Sequence, residues 1–174
     1  MIYVIRHGQT DYNKERRMQG RNGSPLNEIG IQQAEQVKEK LQHIEFDLVI
    51  SSPQERAVQT AEIATGKKAV IDNRIDVFDL GEADRLTTDE VKIAKGIPDP
   101  TLYKGVEDPY DYIKRVFDFM RDLEAEYGDK RVLISGHRCT TGGIGAYFEG
   151  IPEDENILRY SSNNGDYKVY EFQK

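Results

Sequence analysis

Apolar and polar positions follow two alternating rhythms along the chain. Met1 to Ile5 are apolar, and Arg6, His7 and Gly8 follow with no spacer, so residues 2–6 read as a short buried strand. A long polar, glycine-rich loop then runs to about Asn27. Ala34, Val37, Leu41 and Ile44 recur at three- and four-residue spacing and predict an amphipathic helix over 28–43. The next strand is FDLVISS, ending at Ser51 and Ser52. Pro53 fits the first turn of a helix running to Ala64, and KAVID reads as a short third strand. Residues 76–107 are the least periodic part, with DVFDLGEADRL, a short helical candidate TTDEVKIA and the breaker GIPDP. Ile113, Val116, Phe117, Met120, Leu123 and Tyr127 mark a long helix over 108–127, and Gly128 suits its C-terminal cap. RVLIS is a fourth buried strand, followed by Gly136 and His137. Residues 140–148 read as a helix rich in small residues, and DYKVYEF alternates like a strand with one face toward water. No repeat or Pro/Gly/Ser-rich linker interrupts the pattern, so one domain over 1–174 is expected.

Strand–helix alternation implies an α/β fold, a three-layer α/β/α sandwich with a mainly parallel central sheet. In such sheets ligands sit outside the carboxyl ends of the strands. Three strands end in polar groups: Arg6-His7-Gly8, Ser51-Ser52 and Gly136-His137. Those ends are expected at one sheet edge, where two histidines and at least one arginine would converge.

Composition narrows the partners. The net charge of −7 leaves no broad basic footprint for nucleic acid. Charge is nevertheless uneven: residues 1–21 carry Arg6, Lys14, Arg16, Arg17 and Arg21 against Asp11 and Glu15. A local anion site fits that excess, as does a solvated mixed-charge loop. Cys139 is the only cysteine, which excludes an internal disulfide, and with three histidines no Cys/His zinc site is expected. The first strand starts at residue 2, leaving no room for a signal peptide, and no apolar stretch reaches the roughly 18–20 residues of a membrane span. A cytoplasmic location without membrane contact is the expectation.

Two histidines with arginines at a sheet edge suit phosphoryl transfer. Arginines bind non-bridging oxygens through planar, bidentate hydrogen bonds. A neutral imidazole can attack phosphorus, and a second can donate to an equatorial oxygen as charge develops there. Gly8 would let the backbone approach the ligand. Other phosphate sites fit poorly. There is no G-x-x-x-x-G-K-[ST]. Position 145, six after Cys139, is Gly and not the arginine of a cysteine-based phosphatase loop. TGGIGAYF lacks the third glycine of a dinucleotide site and suits close helix packing.

The stretch IRHGQTDYNKERRMQGRNGSPLNEIGIQQA resembles the histidine phosphatase superfamily, the phosphoglycerate-mutase-like family. VISSPQERAVQTAEI is similar to its second signature, VLISGH to its third, and SSNNGDYKVYEF to its closing strand. The resemblance covers nearly the whole chain. It implies that His7 is the nucleophile that becomes phosphorylated, that Arg6 and Arg56 clamp the phosphoryl oxygens, and that His137 is the second histidine of the pocket. It further implies that Asn13 contacts phosphate and that Gln19 and Gly20 belong to the loop facing the substrate. No cofactor is implied, and the partner is a small phosphorylated substrate. His43 has no motif around it and is expected at the surface, and Cys139 is expected to be buried near the pocket.

Two positions depart from the family pattern. Members that cleave alkyl phosphates usually carry a glutamate in D-x-R-L-x-E-x-x-x-G, which protonates the leaving oxygen. Here Asp72, Arg74, Ile75 and Gly81 align, and Val77 stands where that glutamate would be. Asp76, Asp79, Glu82 and Asp84 are the nearby carboxylates, with Asp79 the first choice because extended chain would place it on the same face as Val77. Arg138 follows His137 where the family usually has glycine. The expected function is a phosphatase acting on phosphomonoesters through a phosphohistidine. The alternatives are a cofactor-dependent phosphoglycerate mutase and, from another class, a phospho-ligand-binding regulatory protein with a partly decayed site.

Overall fold

The computed structural model describes residues 1–173. In chain order the elements are β1 (Ile2–Arg6), α1 (Asp11–Lys14), α2 (Glu28–Leu41), β2 (Leu48–Ser51), α3 (Glu55–Thr65), β3 (Val70–Ile71), β4 (Ile93–Ala94), β5 (Ile97–Pro98), α4 (Pro109–Tyr127), β6 (Val132–Gly136), α5 (Arg138–Glu149) and β7 (Tyr167–Tyr170). Short 3-10 turns cover Asn73–Ile75, Gly81–Ala83 and Ile157–Tyr160. The central sheet has the order β3-β2-β6-β1-β7. All its pairings are parallel except β1 with β7.

The period of two in each strand decides which layer it feeds. Ile2 and Val4 of β1, Ile50 of β2, and Val132 and Ile134 of β6 pack against α4 and α5 through Tyr112, Val116, Phe119, Met120, Leu123 and Ile144. Tyr3, Ile5, Val49 and Leu133 face the opposite way and pack on Val37 and Leu41 of α2 and Ala61 and Ala64 of α3. Both faces are thus covered, as a parallel sheet requires.

Helix ends follow local chemistry. Asp108 caps α4 by accepting from the Tyr110 and Asp111 N–H groups, with Pro109 at the first helical position. Gly128 closes it in a right-handed conformation, not the left-handed one usual for a terminal glycine. Asn27 caps α2, accepting from Gly30 N at 2.9 Å. That helix ends at Leu41, and His43 lies exposed just beyond it.

Three expectations need correction. The loop after β1 is not wholly irregular: Thr10 and Asn13 exchange side-chain and backbone hydrogen bonds in a capping box around the single turn of α1. Pro53 precedes α3 by two residues, and the cap is Gln54. The helix expected in TTDEVKIA does not form. Thr87 and Glu90 start one turn, with Glu90 N donating to Thr87 Oγ1 at 3.2 Å. The turn goes no further: Ile93 and Ala94 are already extended in β4, and Lys95 and Gly96 adopt φ of 54° and 82°. These left-handed residues make a two-residue turn, and β4 pairs with β5 as a hairpin.

Gly8 serves packing. A methyl group there would stand 2.5 Å from the carbonyl oxygen of Gly30, and one on Gly30 would stand 2.1 Å from Gln9 O. The chain after β1 and the start of α2 touch backbone to backbone, which only this glycine pair permits.

Candidate active site

Strand register places the site. Arg6 pairs with Gly136, and Ser51 with Ser135, so His7 and His137 leave neighbouring strands at one level, with Ser52 one residue behind on the next strand. His7 N donates to Gly136 O at 2.9 Å and Ser52 N to Ser135 O at 3.0 Å, extending the ladder one residue past the strands. The rings of His7 and His137 stand 5.3 Å apart, inclined at 63°.

Each ring is fixed by one nitrogen. Nδ1 of His7 lies 2.7 Å from the Gly8 carbonyl oxygen. A carbonyl only accepts, so Nδ1 carries the proton and Nε2 keeps its lone pair. Nε2 of His137 lies 2.7 Å from Ser52 Oγ, while its Nδ1 has no hydrogen-bond partner. Burial pushes His7 down to about 3, reinforced by the charges of Arg56 and Arg6 and partly offset by the Gly8 bond. Burial, with Arg56, His7 and Arg6 behind it, also holds His137 well below its ordinary value. Both imidazoles are neutral at pH 7, the form a nitrogen nucleophile needs.

The arginines frame the histidines. Arg56 is 2 % exposed. Its Nη2 donates to Gly20 O at 2.8 Å, and a methyl group on Gly23 would lie 2.4 Å from its Nη1, so the loop around Gln19–Ser24 wraps the guanidinium closely. Burial lowers Arg56 to about 10, with Asp84 and Asp76 among the groups opposing that shift. Arg6 Nη1 donates to Ser162 O at 3.1 Å. Burial lowers the Arg6 guanidinium too, and the charge of exposed Arg138 adds to this. Arg138 therefore points to solvent yet acts electrostatically on the site.

Four buried side-chain nitrogens among the described residues lack a protein partner: Arg6 Nε, Gln19 Nε2, Arg56 Nε and His137 Nδ1. A buried donor left unpaired costs about 1–3 kcal/mol. All four belong to residues named from the sequence, and together they suit the non-bridging oxygens of a phosphoryl group. Gln19 is oriented by Thr10 Oγ1 and Ser24 N, both donating to its Oε1. Asn13 has its carboxamide oxygen occupied by Thr10 and by Asn164, which leaves its amide nitrogen for a ligand. Gly20 acts through its neighbours: its N–H goes to Asp84 Oδ1 at 2.8 Å and its carbonyl to Arg56.

The 74–84 segment carries the nearby carboxylates. Val77 is 5 % exposed and presents no proton. Asp79, expected as the acid, has Oδ1 accepting from Gly81 N at 2.9 Å and Oδ2 at 3.5 Å from Arg21 Nη1, and is not hydrogen-bonded to any histidine or arginine of the pocket. Glu82 accepts from Lys104 N and is exposed. Asp84 holds the 19–24 loop through Gly20 N, Asn22 N and Asn22 Nδ2. Cys139 is half-buried, its sulfur 3.5 Å from Phe78 N.

Several supporting residues had no separate signal. Thr60 takes the Gly8 N–H and donates to Arg56 O. Asn164 donates to His7 O at 3.0 Å. Arg115 uses all five of its N–H groups: two on the Glu107 carboxylate and three on the carbonyls of Arg74, Asp76 and Val77. Thr60 lies inside the second signature and could have been picked out there. Arg115 sits in the periodic helix 108–127, where it reads as one more solvent-facing cation.

The chain resembles known proteins along nearly its whole length. The model of the histidine phosphatase superfamily (branch 1) matches residues 2–174. A Salmonella arizonae protein named "Probable phosphoglycerate mutase GpmB" is 33 % identical over 164 residues, covering 87 % of this chain and 75 % of its own. The "Uncharacterized phosphatase PhoE" of Bacillus subtilis is 30 % identical over 139 residues, covering 78 % and 70 %. A mycobacterial glucosyl-3-phosphoglycerate phosphatase, solved in complex with VO3, superposes with TM-score 0.81 at 26 % identity over 95 % of this chain and 90 % of that one. A phosphoserine phosphatase variant from Entamoeba histolytica shares the fold, with TM-score 0.82 at 21 % identity over 95 % and 87 %. No helix among the described residues is long and apolar enough to cross a membrane. The chain belongs to branch 1 of the histidine phosphatase superfamily.

Proposed function

We propose that the protein is a phosphatase that hydrolyses phosphomonoesters through a phosphohistidine on His7. The observation that carries this reading is the 2.7 Å contact of His7 Nδ1 with Gly8 O, which leaves Nε2 as the nucleophilic atom. In the first step Nε2 bonds to phosphorus while the ester P–O bond breaks. Arg6 and Arg56 neutralise the non-bridging oxygens, and His137 Nδ1 donates to one of them. In the second step water takes the phosphoryl group and the lone pair returns to Nε2. The mycobacterial and Bacillus relatives, both named phosphatases, support hydrolysis. The test is phosphate release from an aryl phosphate by wild type and His7→Ala, with acid-labile label on the wild type alone. Equal rates in the two would sink the reading.

A phosphoglycerate mutase is the second reading, favoured by the name of the Salmonella relative. The stretch between Gly81 and α4 weighs against it, since it holds only the β4–β5 hairpin and turns and offers little structure to retain a transferred group. Interconversion of phosphoglycerates on adding 2,3-bisphosphoglycerate would establish the mutase.

A further inference from the structure

We propose that the proton for the leaving group is carried by Asp76, one residue before the position where the family signature has glutamate. The assignment rests on the phosphohistidine reading. The argument starts from a ring of contacts around the two histidines. Gly8 N donates to Thr60 Oγ1 (3.1 Å), Thr60 to Arg56 O (2.8 Å), and Arg56 Nη2 to Gly20 O (2.8 Å). The next residue, Arg21, places Nε 3.4 Å from Asp76 Oδ2. Asp76 Oδ1 accepts from Gln54 Nε2 at 2.9 Å, and Gln54 N donates to Ser52 Oγ at 3.2 Å. Ser52 Oγ reaches His137, which closes the ring on His7. Asp76 is the member of this ring that bridges the Arg56 side to the His137 side.

Its two oxygens differ. Oδ1 is held by the Val77 N–H at 2.7 Å as well as by Gln54, which fixes the carboxyl group. Oδ2 faces only Arg21, at a distance beyond a good hydrogen bond, so it is the carboxyl oxygen left open to a leaving group. The residue is buried, unlike Asp79, which is 39 % exposed on its side chain and has Oδ1 committed to a turn. Asp84 is committed to the loop it ties down. Arg115, through the carbonyls of Arg74, Asp76 and Val77, sets the backbone from which Asp76 projects.

The steps balance. As the His7 Nε2–P bond forms and the P–O bond breaks, the leaving oxygen receives the electron pair and takes the Asp76 proton. The carboxylate left behind faces Arg21. Water then attacks phosphorus, its proton passes to Asp76 Oδ2, and the N–P bond breaks with its electron pair returning to Nε2. One ester and one water give one alcohol and one phosphate.

The experiment compares an alkyl phosphate (2-glycerol phosphate) with an aryl phosphate (4-nitrophenyl phosphate) in wild type, Asp76→Asn, Asp76→Ser, Asp79→Asn and His7→Ala. Proton donation matters for an alkoxide and little for nitrophenolate, so Asp76→Asn is expected to raise the aryl-to-alkyl ratio of kcat/KM by about 10²- to 10³-fold. A purely structural defect would lower both substrates together and leave the ratio alone. Asp76→Ser keeps a hydrogen-bonding group on the Val77 N–H and is expected to show the same change, which covers failure of the asparagine variant to fold. An unchanged ratio in both Asp76 variants, or a raised ratio in Asp79→Asn instead, would overturn the assignment. Undiminished aryl turnover in His7→Ala would overturn the phosphohistidine reading, a separate outcome.

Discussion

Ser52 and His137 are joined by a 2.7 Å contact between Oγ and Nε2. Ser52 Oγ already accepts from the Gln54 N–H, so its hydroxyl hydrogen is free to point at the imidazole. With that hydrogen directed at Nε2, the ring proton sits on Nδ1, the nitrogen without a protein partner, which is the tautomer the proposed donation to phosphate requires. Ser52→Ala removes this control. Turnover of an aryl phosphate is expected to fall roughly tenfold, mostly in kcat, because the bond to a developing equatorial charge weakens. Steady-state kinetics, with kcat and KM resolved, checks it.

The neutral histidines make stability depend on pH in a defined direction. Unfolded histidine takes up a proton near 6.5, whereas folded His7 does so only at about 3 and folded His137 well below the ordinary value. Between those limits the unfolded state binds more protons, so stability is greatest above about pH 6.5 and declines as pH falls. The slope is about 1.4 kcal/mol per pH unit per histidine. Urea unfolding at pH 7.5, 6 and 5 measures it. His137→Asn should flatten the slope by about one proton.

Arg56 holds a loop and, in the proposed reaction, a phosphoryl group. Lysine would keep the charge, but it lacks the fork that reaches Gly20 O and offers Nε to a phosphoryl oxygen. Arg56→Lys is therefore expected to lower kcat/KM by about 10²- to 10³-fold. It should also expose the 19–24 segment to limited proteolysis, and both readouts are needed to separate the two roles.

Arg115 is expected to be a stability residue. Removing its side chain leaves the Glu107 carboxylate without its cation and three carbonyls without donors. Because the pair is only partly buried, the loss should be near the low end for a buried ion pair, about 2–3 kcal/mol. Thermal unfolding of Arg115→Ala tests this, and a Tm equal to wild type would refute it.

What the chain reveals by eye depends on distance along it. Caps and periodicity are local, so α4 could be read to within a residue from Asp108, Pro109 and its apolar stripe. The strand ends carrying His7 and His137 were legible because a parallel sheet sends all such ends to one edge. The β4–β5 hairpin was not, because Thr87 and Glu90 begin a helix turn and the left-handed turn at Lys95-Gly96 comes only after it. Gln54 and Asp76 are 22 positions apart, and no period or motif links them. Their contact exists only because β2 and the 3-10 turn after β3 meet in three dimensions. The same is true of Arg115, whose helical position gives no hint of the five acceptors around it.

The strand that carries His7 has no sequence neighbour in the sheet. Its partners are β6, with Ile2 opposite Val132, and β7, with Ile2 opposite Tyr170, and Asn164 reaches His7 across 157 positions. Contacts this distant along the chain carry a larger loop-closure cost than local ones. The position of His7 therefore depends on pairings that tie the first strand to the last two, so loosening β7 at the far end of the chain acts directly on His7.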